Sequence, residues 1–154
     1  MSSESQDQPG AELADRLGYL LKHAQQRLTE LNAAALAPYG LSGRELAVLL
    51  VFDALGPTSQ QDAARRLGVD RTTMVGLVDA LEAKGIVQRA PYAEDRRRNV
   101  VRFTAAGRAT FRKALTASDA AEREFLGGMD DAAAAGFRAQ LRALIGARAA
   151  GADD

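Results

Sequence analysis

Apolar and polar residues alternate along this chain with two different periods. Leu13, Leu17, Leu20, Leu21, Ala24, Leu28, Leu31 and Ala35 recur at steps of three and four, which places one apolar stripe along a long first helix starting at Ala11. Pro38-Tyr39-Gly40 breaks it. Ser42-Gly43-Arg44-Glu45 has the spacing of a capping box, and Leu46, Leu49, Leu50 and Phe52 follow on a second helix that ends at Gly56-Pro57. Ser59 caps a short third helix over 60–67, closed by Gly68. Asp70 caps a fourth over 71–84, with Met74, Leu77, Val78 and Leu81 facing inward and Gly85 at its stop.

After Gly85 the period shortens to two. Residues 86–89 and 100–103 read as strands flanking a polar, Arg-rich turn, 91–99, which predicts a β-hairpin with a long exposed tip. Thr104 caps a fifth helix carrying Phe111, Leu115, Phe125 and Leu126, and Asp130 and Asp131 open a sixth with Phe137, Leu141, Leu144 and Ile145. Residues 1–10 and 149–154 carry no periodicity and read as tails. The sum is a mainly α chain with a winged helix-turn-helix at 41–103. A long helix over 11–37 precedes it and two more over 104–148 follow.

Composition agrees with helix. Of 154 residues, 32 are Ala, the best helix former, while aromatics are 5%. There is no Cys and one His, so thiol sensing, a Cys-ligated metal and a multi-His zinc site have no ligands, and no cofactor is expected. No apolar run has the length of a membrane span, and no signal-peptide core follows Met1, which predicts a soluble cytoplasmic protein. The stripes at 13–35 and 137–145 carry more apolar surface than a domain of about 60 residues can cover, which points to self-association.

Charge changes the picture. The net charge is zero, from 20 basic and 20 acidic residues, but residues 84–113 hold nine basic side chains against Glu94 and Asp95. A local excess of +7 in a neutral chain is an electrostatic footprint for nucleic acid. Within it, Arg96, Arg97 and Arg98 stand on the hairpin tip, where a minor groove's negative potential attracts arginine. Asp95 has the spacing to hold the Arg97 guanidinium in a bidentate pair. In a helix-turn-helix the second helix enters the major groove by its N-terminal end, here Arg71, Thr72 and Thr73. Asp79 lies on the same outward face and would be repelled deep in a groove, so the helix enters by its first half. Gly76 costs helix propensity on that face, which fits either close backbone approach to DNA or a tight packing contact.

Residues 41–107 resemble the MarR (multiple antibiotic resistance regulator) family of bacterial transcription factors. The likeness rests on Gly68-Val69-Asp70-Arg71-Thr72-Thr73, on 81–89 (LEAKGIVQR), and on Asp95-Arg96-Arg97 followed by Phe103-Thr104-Ala105-Ala106-Gly107. The last resembles the family's wing signature, D-x-R running into L-T-x-x-G, with Phe103 in place of Leu. The resemblance implies a homodimer of intertwined terminal helices, bound to a palindromic double-stranded operator. It implies recognition-helix contacts from Arg71, Thr72 and Thr73 and a minor-groove contact from Arg97 steadied by Asp95. Phosphate contacts are expected from Ser59, Gln60 and Gln61, and from Arg89, Arg96 and Arg98.

Many family members release DNA when a small aromatic or phenolic ligand binds between the dimer helices and the winged domain. His23, Tyr39 and Arg44 are the candidates here to line such a cavity between the first two helices. A competing class is a winged-helix protein-interaction module, which has no need of exposed arginines. An enzyme ranks below both, because Ser42 and Ser59 serve as caps and nothing joins a nucleophile to a base.

Overall fold

The computed structural model describes residues 10–149; the predicted tails fall almost wholly outside them. The helices are α1 (Leu17–Leu36), α2 (Gly43–Leu55), α3 (Gln60–Leu67), α4 (Arg71–Ala83), α5 (Ala105–Leu126) and α6 (Asp131–Ala149). Two strands, β1 (Val87–Pro91) and β2 (Asn99–Phe103), pair antiparallel between α4 and α5. The mainly α, winged helix-turn-helix reading holds.

The caps follow the local sequence. At Ser42 the capping box closes in both directions: Glu45 N–H donates to Ser42 Oγ at 3.2 Å, and Ser42 N–H donates to a Glu45 carboxylate oxygen at 2.9 Å. Ser59, Asp70 and Thr104 each accept a backbone N–H three residues on. Gly68 closes α3 with φ 73°, a left-handed turn that side chains with a Cβ rarely adopt.

Three features depart from expectation. The first helix starts at Leu17, six residues after Ala11. Ala11–Leu13 closes as a separate 3-10 turn, and Arg16, in an extended conformation, interrupts the helical ladder. The strands also reach further into the tip, the first by two residues and the second by one, pairing Pro91 with Asn99. Thr58 adds an isolated antiparallel bridge: its N–H donates to Val101 O at 3.3 Å and its carbonyl accepts from Val101 N–H at 2.8 Å. That bridge ties the hairpin to the residue just before the Ser59 cap of α3.

The core lies under the winged domain. Leu46, Val48, Leu49 and Phe52 of α2 meet Ala63 and Ala64 of α3, Met74, Val78 and Leu81 of α4, and Val87 and Val101 of the hairpin. Phe111 and Ala114 of α5 close the cluster with Leu36. At the foot of α5, a Cβ on Gly107 would lie 1.8 Å from the Ile86 carbonyl oxygen. The helix thus rests on the backbone leading into β1, and Thr104 Oγ1 donates to Gly85 O at 2.6 Å beside it. These contacts give the T-x-x-G stretch a packing reason.

α1 runs along α5, its most extensive partner, and Ser118 Oγ donates to Asn32 Oδ1 at 2.7 Å across that seam. Beyond it the stripes open to solvent: Leu13, Leu17, Leu20 and Leu21 at the start of the chain, and Leu144 and Ile145 near the end of α6, are exposed. Among the described residues no single helix is long and apolar enough to cross a membrane.

Candidate nucleic-acid interface

One face of the winged domain collects the N-termini of α3 and α4 and the hairpin tip. At α4, Asp70 accepts both the Thr73 N–H at 2.8 Å and the Thr73 hydroxyl at 2.7 Å. The Thr73 hydroxyl bond, followed by the Thr73 amide, holds the Asp70 carboxyl below its usual range. With its proton directed at Asp70, the Thr73 hydroxyl can only accept from a ligand. Arg71 and Thr72 beside it are exposed.

Asp62 plays a similar part in α3. Ser59 Oγ donates to it at 2.8 Å and Arg65 pairs with its other oxygen. The Ser59 bond first, then the Arg65 bond and the charges of Arg65 and Arg98, hold this carboxyl below its usual value. Ser59 is thereby occupied as a cap, and its neighbour Gln61 is exposed.

The tip, residues 92–98, is built from backbone bonds: Tyr92 N–H to Arg98 O at 2.7 Å and Arg98 N–H to Asp95 O at 3.0 Å. Here the expected Asp95–Arg97 pair is corrected. Asp95 Oδ1 accepts the backbone N–H of Arg97 at 3.1 Å, an Asx turn, and no ion pair to the guanidinium forms. The carboxylate shapes the loop and leaves the guanidinium to project. Tyr92 Oη donates to Glu94 at 3.1 Å, and that bond raises the phenol's pKa. Arg98 turns toward α3, lining with Ser59, Asp62 and Tyr92 a gap of about 170 Å³ between helix and wing.

Arg89 also differs from expectation. Its guanidinium donates to Gln60 Oε1 at 2.8 Å, Glu82 Oε1 at 2.9 Å and Asp79 Oδ1 at 2.6 Å. All three of its nitrogens have acceptors within the protein, so it is not placed as a phosphate contact. The same bonds partly offset the charge of Asp79, the acid on the recognition face, and occupy Gln60. The pattern of local periods gave no sign of this network, whose partners lie 7 to 29 residues apart in sequence.

Two more members of the basic block are internal. Lys84 Nζ lies 2.8 Å from both oxygens of buried Glu45 and 2.7 Å from Gly40 O, pinning the end of α4 to the start of α2. Arg108 pairs with Asp53 at 3.1 Å and stacks 4.6 Å over Phe103. The footprint narrows accordingly. Asp62, Asp70, Asp79, Glu82, Glu94 and Asp95 all accept a hydrogen bond. Among the described residues no carboxylate is in ion-pair range of Arg66, Arg71, Arg96, Arg97 or Arg98. Arg71 at the start of α4 and Arg96, Arg97 and Arg98 on the hairpin tip are therefore cations left open to an anionic partner.

Gly76 lies on the same face, and a Cβ built there meets nothing within 4 Å. A packing contact is excluded as its reason within the described residues.

The three ligand candidates are not gathered. Arg44 lines a cleft of about 590 Å³ between α1 and α2, with Gln25, Leu28 and Asn32, and borders a second groove of about 480 Å³ towards α3 and α4. His23 stacks against Tyr19 at 4.2 Å, and Tyr39 packs against the core.

The fold and this face define a winged helix-turn-helix protein. The family model described as MarR family matches residues 39–98. The repressor NicR of Pseudomonas putida is 31% identical over 108 residues, covering 70% of this chain and 68% of that protein. The chain belongs to the MarR family. Among solved structures, the transcriptional repressor CouR bound to a 23-mer DNA duplex is 31% identical with a TM-score of 0.75, covering 93% of this chain and 99% of that one. CouR of Rhodococcus jostii RHA1 bound to p-coumaroyl-CoA aligns at 30% identity and TM-score 0.73, over 84% and 92% of the two chains. A probable transcriptional regulator from Pseudomonas aeruginosa aligns at 30% identity and TM-score 0.76, over 84% and 97%.

Proposed function

We propose that the chain is a homodimeric, sequence-specific DNA-binding transcriptional repressor, working in the cytoplasm on a palindromic operator and released from it by a small aromatic or phenolic ligand. The observation that carries this is the charge arrangement of one face. Arg71, Arg96, Arg97 and Arg98 stand at the start of α4 and on the hairpin tip with no carboxylate in ion-pair range among the described residues. A protein-interaction module has no use for that pattern, whereas phosphate rewards it.

Arg71, Thr72 and the accepting Thr73 hydroxyl enter the major groove at the start of α4, and exposed Gly76 keeps that helix slim. Arg97 reaches the minor groove, Arg96 and Arg98 bind flanking phosphates, and Gln61 meets phosphate at the start of α3. The effector cleft is the one between α1 and α2, with Arg44 supplying charge for an anionic group; the aromatic ligand in CouR supports the ligand class. His23 and Tyr39 stand outside that cleft's lining.

The test is Arg97→Ala on a duplex taken from upstream of the protein's own gene. Loss of a groove contact costs about 1–3 kcal/mol, roughly 5- to 150-fold in affinity. Unchanged affinity removes the wing from the interface.

A further inference from the structure

Arg89 stands at the junction of three elements. It lies on β1, yet its Nε binds Gln60 at the start of α3, and Nη1 and Nη2 bind Glu82 and Asp79 one turn apart on α4. Its backbone N–H also donates to the second Glu82 oxygen at 2.9 Å. The side chain is three-quarters covered, and its planar fork has a fixed geometry. We infer that Arg89 is a positioning residue of the DNA interface. It locks the wing at a set distance and angle from the recognition helix, and it offsets part of the Asp79 and Glu82 charge that phosphate would otherwise meet.

This inference rests on the DNA-binding reading above. Both groove contacts are on elements that Arg89 joins: Arg71–Thr73 on α4 and Arg97 beyond β1. The hairpin's other anchors, Thr58 at Val101 and Thr104 at Ile86, hold the β2 side and the hairpin's root. Without the Arg89 guanidinium, β1 loses its tie to α3 and keeps only the backbone N–H bond to Glu82 on α4, and Asp79 is left unpaired on the face that meets DNA.

Lysine is a poor substitute, because one ammonium cannot reach three acceptors along the fork's directions. Positioning and direct phosphate contact therefore differ in two readouts. A phosphate contact contributes about 0.9 to the slope of log affinity against log salt, and a lysine keeps it. A positioning residue contributes nothing to that slope beyond the geometry, and a lysine loses it.

The experiment measures operator affinity across a salt series for wild type, Arg89→Ala, Arg89→Lys and Arg97→Ala, with hydrogen exchange of the DNA-free proteins. Arg89→Ala and Arg89→Lys should both lose roughly tenfold or more in affinity, the scale of one lost groove contact. The salt slope of Arg89→Lys, which keeps the charge, should match wild type, and in both variants amides of 87–103 should exchange faster before any DNA is added. Retained affinity in Arg89→Lys together with a slope shallower by about one in Arg89→Ala makes Arg89 a phosphate contact and overturns the inference. Unchanged exchange over 87–103 in a folded Arg89→Ala variant overturns it as well. Wild type without operator affinity would instead defeat the DNA-binding reading, and the exchange result would still report on the clamp.

Discussion

In the winged domain, large apolar side chains meet one another: Phe52, Leu49, Met74 and Leu81 are all fully covered within one chain. In the helical arms the same kinds of side chain face outward. Leu17 is 70% exposed, Leu144 70% and Ile145 74%. The polar groups divide the same way. The winged domain closes Glu45 with Lys84 and Arg89 with three acceptors, whereas the main side-chain bonds of the arms are Ser118 to Asn32 and Arg138 to Glu122. One region is complete alone. The other presents an apolar stripe at each end of the chain, which in the proposed dimer a second copy would cover, burying area at about 25 cal/mol per Å².

Breaking the arms should therefore cost more function than breaking any single DNA contact. A chain carrying Leu17→Glu and Ile145→Glu should sediment as a monomer with its winged domain folded. Its operator affinity should fall by about a hundredfold or more, because the second half-site is no longer tethered. A dimer that survives both charges would place the interface elsewhere.

Breaking the winged domain should act through stability. Gly107→Ala drives a methyl into the Ile86 carbonyl, and backbone gives way poorly, so thermal unfolding should show a loss of about 1–3 kcal/mol. A variant as stable as wild type would mean that α5 can lift from the hairpin without cost.

Gly76→Ala sharpens the contrast, since it should move stability and binding in opposite directions. The open space there lets alanine raise stability by about 1 kcal/mol through helix propensity. On the DNA-facing side the added methyl should weaken operator binding. Equal affinity in gel shift would show that the duplex does not approach α4 at this turn.

The smallest effect is in pH. Asp62 and Asp70 both have carboxyls held below the unfolded value of 3.8, chiefly by Ser59 and Thr73. A depressed carboxyl adds stability that is present above 3.8 and lost as pH falls through its lower folded value. Circular dichroism should thus show these two caps intact from neutral pH to about 5 and failing only below about 4. Helix loss from α3 and α4 near pH 6 would contradict the assignment.

The order of elements and their caps were legible because each depends on neighbours three or four residues away. Ser42 with Glu45, Asp70 with Thr73, and Thr104 with Gly107 are local pairs that a linear reading can find. What escaped it depends on contacts that folding creates. Arg89 reads as one more cation in a basic stretch until β1 brings it between Gln60 and Asp79. Asp95 has the right spacing for either a guanidinium or a backbone amide, and the tight turn selects the amide. The start of the first helix was misplaced because the apolar steps continue through Leu13 although Arg16 interrupts the ladder. His23 and Arg44, both polar residues of the first two helices, diverge because one lies in the first half of α1 against Tyr19 and the other lines the cleft.

In the proposed dimer, two copies present the same face, α4 and wing together, to one duplex. Hydroxyl-radical footprinting on DNA upstream of the protein's own gene tests it most directly. The expected result is a footprint with two-fold symmetry, its two half-sites separated by about 10–10.5 base pairs or a multiple. Each half-site should show minor-groove protection at the wing, lost in Arg97→Ala. A single asymmetric protected patch, or protection unaffected by Arg97→Ala, would contradict it.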